Sequence, residues 1–185
     1  MSATFDVQGQ LRFDVSRGTA ADSASKPVLV MPVSALTELL QNAGRKAAGQ
    51  FGFAVGKGCG ERAAARLGGD RGVASAAIEQ VLTTLAGELC VVGMGRLSLE
   101  RWGRAMVFVL SDCPIEDDGF VAQVCDGAVQ ACTGKAVSSV VLAREGATVR
   151  VLVTSEGAAS RVRAALGAGE AWGSVIARVQ TAGAS

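Results

Sequence analysis

Residues 93–154 decide the fold, and they read GMGRLSLERWGRAMVFVLSDCPIEDDGFVAQVCDGAVQACTGKAVSSVVLAREGATVRVLVT. Apolar and polar residues alternate over 97–100, Trp102-Gly103 can form a turn, and 105–110 is a continuous apolar run. Alternation followed by a turn and a second apolar run is typical of two antiparallel strands. The first part of this stretch therefore predicts a β-hairpin.

The middle of the stretch has a helical period. Gly134 can end this helix in the left-handed conformation, and Lys135 lies where a cation complements the carboxyl end. The acidic residues of 116–118 precede the helix and complement its amino end. The apolar positions that share one helix face are Val121, Val124, Cys125, Ala128 and Cys132.

The last part of the stretch predicts a second hairpin. Residues 137–143 and 147–154 are rich in β-branched side chains and meet at Arg144-Glu145-Gly146. Two antiparallel hairpins thus flank one central helix. With the helical segments before and after, we expect an α+β fold in the order strand, three helices, hairpin, helix, hairpin, helix.

We expect residues 1–26 to form an N-terminal strand or hairpin with a flexible loop, and residues 27–185 to form a single α+β domain. Phe5, Val7, Leu11, Phe13 and Val15 alternate with polar residues, while 16–26 is small and polar. The other predicted elements are a strand at Pro27–Met31, a helix from its cap Ser34 to residue 51, a glycine-bearing helix over 51–67, a break at 68–72, a strongly periodic helix over 78–89, a helix from its cap Ser155 to Gly167, and a last helix over 170–180.

Composition excludes several classes of function. The 18 basic and 17 acidic residues leave a net charge of +1, and no basic cluster is interleaved with aromatic residues, so nucleic acid is not an expected partner. No apolar run approaches the ~20 residues that cross a bilayer, and the chain starts with no secretory signal, so we expect a cytoplasmic protein that does not span a membrane. Five cysteines, an odd number in apolar surroundings, predict reduced and mostly buried thiols.

The residues available for chemistry are limited, because the chain has no histidine and no tyrosine. This removes the commonest general base and the commonest metal ligand, so we expect no enzyme activity, no metal site and no cofactor. The glycines of 56–60 do not fit a dinucleotide fingerprint, since glutamate stands where a glycine is needed, and they favour close helix packing instead. The run 133–135 lacks the upstream glycine of a phosphate loop and predicts a helix end.

Six residues are candidates for a site. One face of the central helix can line either the core or a pocket within it, and the two tryptophans can anchor an interface, because aromatic side chains are only 4% of the chain. Burial as small hydrophobic side chains and ordinary packing are the alternatives. The pocket candidates are Val124, Cys125, Ala128 and Cys132, and the interface candidates are Trp102 and Trp172.

The chain resembles the 4-vinyl reductase domain family and its relatives among TRAPP vesicle-tethering subunits and bacterial hydrocarbon-binding regulatory domains. The resemblance covers roughly residues 27–166 and rests on KPVLVMPVSALTELLQNAG, FAVGKGCGERAAARLG, FVLSDCP and VCDGAVQACTGK. It implies a non-catalytic protein that binds a small apolar ligand or acts as an adaptor. No functional residue is carried over from the family.

A weaker resemblance points to a different class of protein. LLQNAGRKAAGQF and RAMVFVLSDCP are similar to segments of the non-catalytic, ring-forming protein of bacterial cellulose synthase, which guides glucan export. This resemblance implies a structural component of a polysaccharide synthesis and export assembly. We expect a homo-oligomer, most simply a dimer, because a surface with only 19% charged residues leaves apolar faces that need partners; the export assembly would require a higher closed oligomer.

Overall fold

The computed structural model describes residues 5–6, 9–103 and 105–182. Its helices and antiparallel sheets confirm the predicted α+β class, and the two predicted hairpins flank the central helix. The elements in chain order are β1 (Leu11–Asp14), β2 (Thr19–Asp22), α1 (Val33–Arg66), α2 (Gly69–Ser75), α3 (Ile78–Val91), β3 (Arg96–Trp102), β4 (Ala105–Ser111), α4 (Asp118–Thr133), β5 (Ser138–Glu145), β6 (Thr148–Thr154), α5 (Glu156–Gly167) and α6 (Trp172–Ala182).

The two large hairpins join into one four-stranded antiparallel sheet with the order β3-β4-β6-β5. The joint is the pairing of β4 with β6, in which Phe108 lies opposite Val151. An isolated hairpin is marginally stable in water, so pairing two of them stabilises both. Local sequence signals predict each hairpin, whereas this pairing between them is non-local.

The two faces of the sheet pack against different helices, because side chains alternate along each strand. One face packs against α1, α3 and α4, and the other packs against α5 and α6. The protein therefore has three layers with the sheet in the middle. The first face contributes Leu97, Phe108, Leu110, Val149, Val151 and Val153, and the second contributes Val107, Val140, Leu142 and Leu152.

Helices α1 and α4 approach each other closely because glycines line their contact. A Cβ atom on Gly56 would lie 2.0 Å from the carbonyl oxygen of Val124, and one on Gly60 would lie 2.3 Å from that of Ala128. Neither distance leaves room for a side chain, so the backbones meet directly. The prediction of close helix packing is confirmed for Gly56 and Gly60, whereas a Cβ on Gly58 would meet only the Arg62 side chain.

Two predictions about the first helix are wrong. The division between the first two predicted helices is misplaced, because α1 consists of two helical segments divided at Gly44, where φ is 76° and ψ is 159°, and not at residue 51. Glycine adopts this non-helical conformation without strain, so a kink separates the two segments there. Ser34 is not the cap, because Pro32 takes the N-cap position and no side chain bonds the free amides there.

The N-terminal prediction is correct in type and wrong in its bounds. A hairpin forms from β1 and β2, so β2 lies inside the segment predicted to be a loop, while Val7 lies outside the described residues. The strand predicted at Pro27–Met31 is wrong, since only Pro27 makes a bridge, to Ala21. The break predicted at 68–72 contains the start of the short helix α2.

The ends of the central helix follow the sequence signals. Asp117 is the N-cap of α4, and its side chain accepts a hydrogen bond from the backbone N–H of Phe120 at 2.7 Å. Gly134 ends the helix in the left-handed conformation with φ 69°, as predicted. Ser155 holds the N-cap position of α5, although its side chain makes no capping bond.

Candidate functional site

A cavity of about 530 Å³ lies between the N-terminal segment, α1 and the end of α3. Four parts of the chain form its walls, namely the N-terminal segment, α1, the end of α3 and the region where α4 starts, and most of the wall is aliphatic or aromatic. The lining residues are Gln10, Leu11, Asp22, Ser23, Val28, Leu29, Val30, Met31, Val33, Leu36, Phe51, Val55, Arg62, Arg66, Glu88, Val91, Val92, Gly93, Met94, Ile115 and Phe120.

The apolar wall combines a strap and a helix face. The strap, residues 28–31, runs from the N-terminal hairpin to α1 and forms no strand, although its first residue donates a backbone hydrogen bond to the carbonyl oxygen of Ala20 at 2.9 Å. Leu29 of the strap is 82% exposed, and the apolar residues that follow it in the strap are exposed as well, so the strap forms an exposed apolar patch. Where α1 meets α4, the rings of Phe51 and Phe120 contact each other with 5.9 Å between centroids and an angle of 49° between their planes. The apolar wall therefore combines exposed side chains of the strap with buried core side chains such as Phe120.

One end of the cavity is strongly polar. Glu88 is only 1% exposed, and its two carboxylate oxygens accept hydrogen bonds from Nε of Arg62 at 2.6 Å and from Nε of Arg66 at 2.5 Å. Both arginines come from the same face of α1, one helical turn apart, and Glu88 comes from α3. A buried carboxylate needs such partners, because burying it unpaired costs several kcal/mol.

Arg66 also holds the N-terminal hairpin against α1. Its Nη2 donates to Oε1 of Gln10 and, at 3.2 Å, to Oγ of Ser23, while the guanidinium lies 5.1 Å from the centre of the Phe5 ring. The carboxylate of Asp22, beside Ser23, accepts hydrogen bonds from backbone N–H groups of its own turn. A molecule that enters the cavity therefore meets a polar cluster that is hydrogen-bonded to the residues just before and just after the N-terminal hairpin.

The cysteine beside this cluster, Cys59, is held as a buried thiol. Cys59 is fully buried, its sulfur accepts from Nη2 of Arg62 at 3.5 Å, and its S–H donates to the carbonyl of Glu88 at 3.7 Å. Burial raises the pKa of the Cys59 thiol to about 11, so the group stays protonated at neutral pH. The cluster offers hydrogen-bond donors and acceptors rather than a reactive group.

The four predicted pocket residues lie elsewhere. Val124, Cys125, Ala128 and Cys132 are each at most 2% exposed, and they sit in the core where α4 contacts α1 and the sheet. None of them lines the cavity beside α3. Burial raises the pKa of both thiols, which agrees with a packing role. The structure therefore places all four residues in the core, which was one of the two alternatives that the sequence left open.

Sequence reasoning missed the residues that do line the cavity. Glu88 carried a signal, because it follows Leu85 by one helical turn on the buried stripe of α3, where a charge needs a partner. The partners Arg62 and Arg66 could not be identified from spacing, since they lie more than 20 positions away. Thiol burial was predicted correctly for four of the five cysteines, and Cys90 is exposed.

The two tryptophans lie far apart in the sequence, but their side chains contact each other. The rings of Trp102 and Trp172 lie 4.9 Å apart in an edge-to-face arrangement, and the guanidinium of Arg150 lies 5.9 Å from the Trp172 ring. Trp102 remains 40% exposed. The pair lies with the α5 and α6 layer, on the opposite side of the sheet from the cavity. A role in an interface stays a prediction.

The comparisons with known proteins bear on the fold. No protein-family model and no curated protein matches the chain. Among solved structures, the chain is similar to the phenol-responsive sensory domain of the transcription activator PoxR, crystallised with phenol. The TM-score is 0.61, with 16% sequence identity over 79% of this chain and 85% of that one. At this identity the likeness shows a shared fold, and the resemblance to the 4-vinyl reductase family stays a prediction.

Within the part of the chain that the structure describes, no helix combines the length and the apolar character needed to cross a bilayer. The longest helix, α1, has charged side chains along much of its length and packs against α4.

Proposed function

We propose that this protein is a binding domain for a small, largely apolar molecule, held in the cavity between the strap, α1 and the end of α3. The observation that carries the proposal is the cavity itself, which has a volume of about 530 Å³, apolar walls and one cluster of polar side chains. Sites for small molecules in proteins have this size and this composition. The similarity in fold to a sensory domain supports the same role.

The polar end suggests what the ligand carries. Glu88 can accept a further hydrogen bond, and the guanidinium groups of Arg62 and Arg66 have N–H groups beyond those they use on Glu88. A hydroxyl group can donate to the carboxylate and accept from a guanidinium without adding a charge to the buried cluster. We therefore propose a ligand with an apolar body and one hydroxyl-type group, and phenol is the first compound to test.

The proposed role is binding rather than catalysis. The Cys59 thiol beside the polar cluster is kept protonated by burial, so it does not supply a thiolate to a ligand in the cavity. The ion pairs hold Glu88 between two arginines, an arrangement that orients a polar group. Binding could then be reported through the N-terminal hairpin, which Arg66 links to the same cluster.

A titration with phenol and with the neutral apolar dye Nile red tests the proposal. We expect saturable binding of at least one of them by calorimetry or dye fluorescence. Val55→Trp adds a large ring to the cavity wall and should abolish that binding. Leu39→Trp is the matched control, because Leu39 lies on the same helix, is 47% exposed and does not line the cavity.

The outcomes of this experiment separate the alternatives. Loss of binding in Val55→Trp with retention in Leu39→Trp supports the cavity as the site, provided both variants melt near the parent temperature. If Val55→Trp does not fold, Leu36→Phe gives a smaller obstruction of the same wall. Absence of saturable binding by the parent protein, or equal binding by both tryptophan variants, would contradict the proposal.

An adaptor role is the second candidate, and the observation that favours it is the Trp102–Trp172 contact, in which Trp102 is 40% exposed and Trp172 is half-buried. Aromatic side chains that remain exposed beside an arginine are typical anchors of protein interfaces. A homo-oligomer built through this pair should become monomeric in light scattering when Trp102 is changed to alanine. The cellulose-export alternative needs a higher closed oligomer, and a parent protein that is a monomer at micromolar concentration would oppose both.

A further inference from the structure

A second cavity, of about 570 Å³, lies between α1, α4, β5 and α5. It is on the opposite face of α1 from Phe51 and Val55, because its α1 residues are offset from those two by about half a turn. The first cavity is mainly apolar, whereas this one has amides and cations in its wall. Its lining residues are Arg45, Lys46, Gly49, Gln50, Phe53, Gly119, Ala122, Gln123, Ser139 and Arg163.

The wall of this cavity is positively charged. Three lining residues are cations and none is acidic. Among the ion pairs of the described residues, Arg45 and Lys46 have no acidic partner, and Arg163 pairs with Glu156 at 3.3 Å. The remaining acid close by is Asp126, which is buried behind the wall. The balance of charge around the cavity is therefore positive.

The floor of the cavity holds a polar group without a partner. Ser139 is 2% exposed, and its hydroxyl oxygen is buried with no hydrogen-bond partner among the described residues. The neighbouring polar group is the carboxyl of Asp126, whose Oδ1 also lacks a partner; burial raises the pKa of that carboxyl, and hydrogen bonding from Ser139 lowers it against the effect of burial. Buried polar groups in folded proteins are nearly always hydrogen-bonded. Because a hydroxyl group can rotate, the Ser139 hydroxyl can turn from Asp126 toward an acceptor that enters the cavity.

Arg163 is held in place beside this hydroxyl. Its Nη2 donates to Oγ of Ser138 at 2.6 Å and to the carbonyl oxygen of Ser139 at 3.3 Å. The guanidinium group of Arg163 is thus fixed by β5 while it lines the cavity. A fixed guanidinium loses little side-chain entropy when it binds an anion, and its planar donors match the oxygens of carboxylates and phosphates.

We propose that this cavity is a binding site for a small oxyanion, a phosphate or a carboxylate group of a metabolite. Arg45, Lys46 and Arg163 supply the positive charge, and the Ser139 hydroxyl donates a hydrogen bond to an oxygen of the anion. The site is separate from the apolar cavity, so it extends the proposed function and does not depend on it.

Calorimetric titration of the full chain with inorganic phosphate and with citrate tests this site, with sodium chloride at matched ionic strength as the reference. We expect saturable binding of one of the two anions at millimolar concentration, and the tighter one identifies the phosphate or the carboxylate class. Arg45→Gln/Lys46→Gln should weaken that binding at least about tenfold, since it removes both unpaired cations. Ser139→Ala should weaken it by a smaller factor.

Lys57→Gln/Arg161→Gln is the matched control, because it removes two cations of α1 and α5 that lie outside this cavity. It should bind the anion as the parent does, and so should Val55→Trp, whose change is in the other cavity. The proposal would be overturned if titration with phosphate and with citrate released or absorbed no more heat than titration with sodium chloride. An equal loss of affinity in the site and control double variants would overturn it too, because it would show attraction by net charge alone.

Discussion

Gly56→Ala tests the contact between α1 and α4 that holds the fold together. The new Cβ would lie 2.0 Å from the carbonyl oxygen of Val124, and backbone atoms cannot move aside as a flexible side chain can. Overpacking a core costs about 1–3 kcal/mol, and a clash with backbone belongs at the upper end of that range. Alanine recovers about 1 kcal/mol of helix propensity, so we expect a net loss of about 2 kcal/mol.

Gly58→Ala is the matched control on the same helix. Its new Cβ would meet the Arg62 side chain at 3.5 Å, which is an ordinary contact, so the propensity gain should remain. For a chain of this size, 1 kcal/mol shifts the melting temperature by about 2–4 °C. Thermal melts should therefore show Gly56→Ala about 4–8 °C below the parent and Gly58→Ala level with it or above. Two variants that both melt above the parent would refute the close contact.

Three further predictions concern buried groups. Burial raises the pKa of Asp126, so its ionisation destabilises the fold as pH rises above its ordinary value of about 4. Asp126→Asn should therefore raise the melting temperature at pH 7 and lose that gain near pH 3, and a gain equal at both would contradict this. Ala128→Leu should cost about 1–3 kcal/mol in urea unfolding, whereas unchanged stability with loss of ligand binding would place the pocket at α4. A thiol reagent in native buffer should label Cys90 rapidly and the other four thiols only on unfolding; rapid labelling of three or more would refute their burial.

The parts of the fold that the sequence predicts are those with local signals. The period and caps of α4 and the turns of both large hairpins are set by residues within a few positions of each other. The pairing of β4 with β6 depends on strands about 40 residues apart, so no local pattern indicates it. The kink at Gly44 was missed because a single glycine in a helical pattern predicts either a break or a bend.

The cavity could not be predicted from local sequence patterns, because its walls come from parts of the chain that are distant in sequence. An apolar segment has the same composition whether it pairs in a sheet or covers a cavity, so residues 27–31 were predicted as a strand. The cluster of Glu88 with Arg62 and Arg66 joins two helices that only the tertiary structure brings together. The face of α4 was predicted to be buried, and it is, but burial alone does not distinguish a core from a pocket wall.

The most direct test of the central claim is a methyl NMR titration of the protein with phenol. Methyl groups of Val55, Met94 and Ile115 line the cavity, whereas those of Val162 and Val175 lie beyond the sheet in the α5 and α6 layer. We predict saturable shifts of the first three and none of the last two. Shifts confined to the α5 and α6 layer, or no saturable shift at any of the five, would contradict a ligand site in the cavity.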